Sequence, residues 1–293
     1  MATENETTEE PLGDGDAGPA SLGYGRDAVA LDLLVLLAVP LGLLVVYALT
    51  TPDQRARLAL YHADPELAEF LTAAYVHATP IHLRNNVLGF LAGAPMAYML
   101  CLRARRRRWF HATTAALLVA VPVAVNLANY ATLRLWYAGP APTSSGFSAV
   151  VAATGGFVFV ALLVWLRALY SRSTATFAGA LVWLALATTF YVVHADAVDP
   201  LVLGAVGVSA ALCVLALASG GDVPLRPDAG QLRRVAVRAV PVALVAVLLG
   251  TFVIGLFPQQ TVRDGMFVNV YAHGAGFVLG VAFAGALEPL VEG

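Results

Sequence analysis

Eight apolar stretches of roughly twenty residues, separated by short segments rich in Arg, Gly and Pro, leave this chain few ways to fold. About 20 apolar residues cross a bilayer as a helix, and a helix satisfies its own backbone polar groups where no water can. The stretches are Val29–Leu49, Ile81–Leu102, Ala112–Leu133, Phe147–Leu166, Thr176–His194, Leu201–Ala218, Ala239–Phe257 and Met266–Leu287. Only 12% of the residues are charged, about half the share in a soluble domain. The expected fold class is all-α, a polytopic transmembrane helix bundle of eight helices. Residues 1–25 are acidic and poor in large apolar side chains, with Glu4, Glu6, Glu9, Glu10, Asp14 and Asp16 close together. They read as a disordered tail and not as a signal peptide, because no basic start leads into an apolar run. Residues 26–293 read as one transmembrane domain.

Arginine placement predicts the orientation. All seventeen basic residues are Arg. Arg26, Arg103, Arg105, Arg106, Arg107, Arg108, Arg167, Arg172, Arg226, Arg233, Arg234 and Arg238 fall on one side of the predicted bundle, and Arg55, Arg57, Arg84, Arg134 and Arg263 on the other. The richer side is expected in the cytoplasm, together with both termini. The Arg103–Arg108 run reads as an anchor on anionic lipid head groups, not as a nucleic-acid site. Cys101 and Cys213 lie in or at the ends of apolar stretches and suggest neither a disulfide nor a metal site.

Polar groups in a membrane are expensive and mark function. Three strings stand out: His77-x4-His82-x3-Asn86, Gly146-Phe147-Ser148-Ala149, and Ala272-His273-x2-Gly276-x3-Gly280. Each opens a predicted helix running from the outer side inward, so all three share one depth. For His273 that depth is about 10 Å, seven residues into its helix. Ser148 sits where free backbone N–H groups at a helix start favour an oxyanion, and Gly146 lets another backbone approach. Ser148, Ala152 and Gly156 form a small-residue stripe, matched by Ala272, Gly276, Gly280 and Ala284 around His273. Such stripes bring two membrane helices close enough for a Ser–His hydrogen bond. His82 and Asn86 share a helix face and can both donate to an oxyanion. His77 reads as a loop-ordering residue, and no carboxylate is placed to complete a triad.

Blander and rival readings stand beside these. Ser148 could be a helix cap, as could Ser144 or Ser145. His273, Asn126 and Asn129 could be interhelical polar glue. His62 and His111 read as loop or interface residues, and His194 as an ion pair with Asp196. A metal site built from His77, His82 and His273 lacks a carboxylate or thiolate to complete it, so no metal or cofactor is expected.

Together with the phrase Leu71-Thr72-Ala73-Ala74-Tyr75-Val76-His77, the three strings resemble the prokaryotic rhomboid intramembrane serine proteases. The resemblance covers the first four helices and the last. It implies a rhomboid-like core, Ser148 as nucleophile and His273 as general base and then acid. It also implies an oxyanion hole of His82, Asn86 and the Ser148 N–H, with His77, Gly146, Gly276 and Gly280 in support. The implied reaction is hydrolysis of a peptide bond in or near a partner protein's transmembrane helix, at a site opening to the outer side of the cell membrane. Departures are clear: three helices lie between serine and histidine where the family has one. Ala68 and Glu69 stand for a usual Trp-Arg, and Ala149 for a Gly after the serine. Ala152 replaces a Tyr that packs on the histidine, so the imidazole must be held otherwise. The alternative is a catalytically inactive rhomboid-like protein that binds client transmembrane helices. The substrate and the oligomeric state are not encoded in these motifs.

Overall fold

A computed structural model describes residues 24–136, 143–220, 228–260, 262–263 and 266–292. The tail expected to be disordered lies outside the described residues apart from its last two positions, and so do most of the loop ahead of Ser148 and Arg226. The long helices are α1 (Arg26–Leu49), α4 (Pro80–Arg103), α5 (Arg107–Trp136), α6 (Ser148–Leu169), α7 (Arg172–His194), α8 (Pro200–Ser219), α9 (Ala229–Leu256) and α10 (Val270–Glu292). These eight are long and apolar enough to cross a membrane, so the chain is an all-α, multi-pass helix bundle. Between α1 and α4 the chain makes two short helices, α2 (Pro52–Leu58) and α3 (Glu69–Thr72), and a 3-10 turn over Ala73–Tyr75.

The exposed surface agrees with a bilayer. Leu34, Leu41, Val119, Val208, Leu212, Val247 and Ile254 all face outward, an apolar exposure that a water-soluble monomer does not carry. Within α8 no residue is buried, and its main partner is α7. By contrast α6 is the hub, packed against α4, α5, α7, α9 and α10.

Close helix approach comes from missing side chains. A Cβ on Gly276 would sit 2.3 Å from the Ala149 carbonyl oxygen, and one on Gly280 only 2.0 Å from that of Ala153. From the other side, a Cβ on Gly156 would meet the Phe277 carbonyl at 2.3 Å. Helices α6 and α10 therefore run parallel, backbone against backbone, as small-residue packing in membranes allows. The stripe on α6 is Ala149, Ala153 and Gly156, one position on from the Ser148–Ala152–Gly156 line expected for its first two members. Ala152 turns instead toward α9 and α7.

At the end of the bundle away from Ser148, Asp32 of α1 is 2% exposed and fully engaged. Arg107 donates to both its oxygens at 2.7 Å, and the Tyr98 hydroxyl donates at 2.6 Å. His111 Nε2 lies 3.1 Å away. His111 thus belongs to this clamp within α5, not to a loop. A carboxylate with no partner would be driven to neutralise in this setting; here it ties α1 to α4 and α5.

Candidate active site

Gly146 and Phe147 fix the approach to α6. The Gly146 N–H donates to the Ala73 carbonyl at 2.8 Å. Its φ of +113° is a conformation for glycine, and a Cβ there would lie 2.3 Å from His82 Cε1. The next side chain, Phe147, is fully buried against Tyr75 and Phe90. A plug of this kind sets where the first turn of α6 begins.

Ser148 is that first helical residue, and Phe147 takes the cap position without a side-chain cap bond. Ser148 is therefore not a capping serine. Its Oγ lies 2.8 Å from His273 Nε2. Ser144 is no cap either, since its hydroxyl pairs with His62 Nε2 at 2.8 Å. The first bonds of α6 are the Val150 and Val151 N–H groups donating to the Phe147 carbonyl. The Ser148 and Ala149 N–H groups have no partner among the described residues, as the first turn of a helix dictates.

His273 is the fourth residue of α10, not the eighth of a helix starting at Met266. Met266–Phe267 instead pairs as a two-residue strand with Val262–Arg263, and the Asn269 side chain accepts from the Ala272 N–H at 3.0 Å. The histidine is thus nearer its helix start than hydropathy alone implies. Its Nδ1 hydrogen-bonds the carbonyl of Leu256, the last residue of α9. A carbonyl only accepts, so Nδ1 carries the proton and Nε2 offers its lone pair to the Ser148 hydroxyl. The Phe257 ring meets the imidazole edge-on at 6.1 Å between centroids. Leu256 and Phe257 do the work that Ala152 cannot.

The third string forms the other wall. His77, 1% exposed, receives two donors at Nε2: the Asn86 amide at 2.9 Å and the Phe147 N–H at 3.3 Å. That leaves the proton on Nδ1, which has no partner among the described residues. Burial, and secondarily the nearby His82 ring, pushes the His77 pKa down to about 3. His77 is the bracket between α4 and the Ser148 turn. Asn86 keeps one amide N–H beyond the one given to His77, and His82 lies over Gly146, two residues before the serine. The structure thus gathers Ser148, His273, His77, His82, Asn86 and Gly146 around one turn, with Gly276 and Gly280 on the helix seam below.

Among the described residues no three His, Cys, Asp or Glu side chains come together as a metal site. In particular His77 Nε2 and both His273 nitrogens are already engaged. His194 does not pair with Asp196; its Nδ1 bonds the Phe190 carbonyl at 2.8 Å. Asn126 is polar glue as expected, donating to the Phe70 carbonyl at 2.9 Å. Glu69, which stands where a Trp-Arg motif would end, is buried and accepts from the Tyr61 and Glu66 N–H groups. It folds the first loop, whose Leu60–Tyr61 strand pairs with Thr143–Ser144 just before the serine. Burial lowers the His62 pKa there, opposed in part by Glu69.

Comparison with protein-family models, with curated proteins and with solved structures yields no match.

Proposed function

We propose that this chain is a rhomboid-type intramembrane serine endopeptidase that cleaves transmembrane or juxtamembrane segments by a Ser148–His273 dyad, without metal or cofactor. The observation that carries the reading is the 2.8 Å Oγ–Nε2 contact, with the imidazole tautomer set by the Leu256 carbonyl. A serine hydroxyl is a weak nucleophile until a positioned base takes its proton. As Oγ attacks the scissile carbonyl carbon, its proton moves to Nε2. The imidazolium keeps its Nδ1–H bond to Leu256. The carbonyl oxygen becomes an oxyanion, for which the free Ser148 and Ala149 N–H groups, the His82 ring and the second Asn86 N–H are the available donors. Collapse breaks the C–N bond, Nε2 returns the proton to the leaving amine, and an acyl group stays on Oγ. Water, deprotonated by the same nitrogen, then releases the acid.

A substrate helix hides its carbonyls in its own hydrogen bonds, so the segment must unwind locally to react. Substrates with Gly, Pro or Ser near the cut and a small residue at it follow from that. The arginine distribution supports both termini in the cytoplasm and a site opening to the outer side. Labelling the purified protein with a fluorophosphonate serine probe tests the chemistry. Wild type should label, while Ser148→Ala and His273→Ala should not; equal labelling of all three sinks the proposal.

A further inference from the structure

Directly behind His273 lies a cavity of about 390 Å³ with an almost wholly apolar wall. Its near end is formed by Leu256, Phe257 and Gly274, the supports and the neighbour of His273. Its far end lies between Leu249 of α9, Trp183 of α7 and Val278 of α10. Leu249 to Leu256 is seven residues, about 10 Å along α9. Trp183, Phe190 and Val278 are about half exposed or more, so the cavity opens sideways onto the surface that faces lipid. A dry apolar cavity of about 150 Å³ already takes a benzene ring; this one is more than twice that.

Helices α9 and α10 do not pack extensively on each other, for α10 is seated on α6 and α5. Yet the carbonyl that orients His273 belongs to the end of α9. The base is thus held from across a gap. We propose that the gap is a binding site for a phospholipid acyl chain, and that the bound chain holds the α9 end against His273. The wall selects this occupant. Its lining side chains are apolar apart from the single indole N–H of Trp183, too little for an unwound peptide backbone; it has no charged residue for a head group, and its mouth is on the lipid side. The binding half stands on the cavity alone; its effect on catalysis rests on Ser148 and His273 being a reacting pair.

Ala187 of α7 and Val253 of α9 both line the cavity. Ala187→Trp and Val253→Phe should fill it, while Val208→Trp adds bulk on the lipid face of α8 as a control. Purified wild type, stripped with mild detergent, should retain about one more phosphatidylglycerol by native mass spectrometry than either filled variant. Exhaustive delipidation should slow fluorophosphonate labelling of the wild type about tenfold, as a misplaced base does, and long-chain phosphatidylglycerol should restore it. The filled variants should label without lipid, and Val208→Trp should behave as wild type. Equal lipid retention by wild type and both filled variants would overturn the binding site. Displacement of the retained lipid by an apolar transmembrane peptide would do the same, assigning the cavity to a peptide. Retention with no lipid effect on labelling would overturn the positioning role. If Ser148 labels in no form, the hydrolase reading fails, while lipid retention still decides the binding site.

Discussion

Leu256 gives the dyad no side-chain group, yet its carbonyl decides which nitrogen of His273 carries the proton. A backbone acceptor has no sequence signature, which is why Ser148, His273, His82 and Asn86 were legible in the string and the device orienting them was not. Gly146 was legible as a small residue, but its two duties, a φ of +113° and contact with the His82 ring, needed coordinates. Gly146→Ala should strain the loop by about 1–3 kcal/mol and reduce fluorophosphonate labelling at least about tenfold. Labelling at the wild-type rate would mean that the loop relaxes without moving Ser148. His77 gives a pH signature. Its folded pKa, near 3, lies below its unfolded value, so at acid pH the unfolded chain binds the extra proton. Stability is therefore full above about pH 6.5 and falls on acidification by about 1.4 kcal/mol per pH unit, or about 2 kcal/mol by pH 5. Protonated, His77 could no longer accept at Nε2 from Phe147. His77→Gln should flatten the pH dependence of the thermal midpoint in detergent; parallel wild-type and variant curves would refute the assignment.

For the elements, hydropathy found all eight long helices, because a bilayer imposes length and apolarity together. It erred where apolarity does not mean helix. Met266–Phe267 continues the apolar run of α10 but pairs in a hairpin, so α10 begins at Val270. The α6 stripe was shifted by one position, since spacing alone does not tell which of two adjacent small rows faces the partner. The seam it forms is testable apart from the chemistry. Gly280 is about two turns below His273, and its missing Cβ is what admits the Ala153 carbonyl. Gly280→Ala should push α10 off α6, lower the thermal midpoint and cut serine labelling about a hundredfold, the effect of roughly 1 Å of misplacement. Gly285→Ala, on the same helix with open space around it, should do neither. Equal effects of the two would point to helix propensity instead of packing.

At the scale of the molecule, eight helices are long and apolar enough to cross a bilayer; eight crossings would put both termini on one side, which the arginines predict to be the cytoplasm. In intact cells a membrane-impermeant maleimide should modify a cysteine at Asp64→Cys, in the loop on the Ser148 side, and not one at Ser219→Cys until the cells are opened. The reverse pattern would invert the orientation and turn the site toward the cytoplasm. One further consequence concerns synthesis. Ser148 and His273 are 125 residues apart, and the proposed base arrives on α10. A chain still emerging from the ribosome has Ser148 in place before it has His273, the histidine proposed to activate it. On the proposed chemistry, the nascent polypeptide would be inert toward its neighbours in the membrane until α10 docks, and a truncation ending before Val270 should not label with a fluorophosphonate.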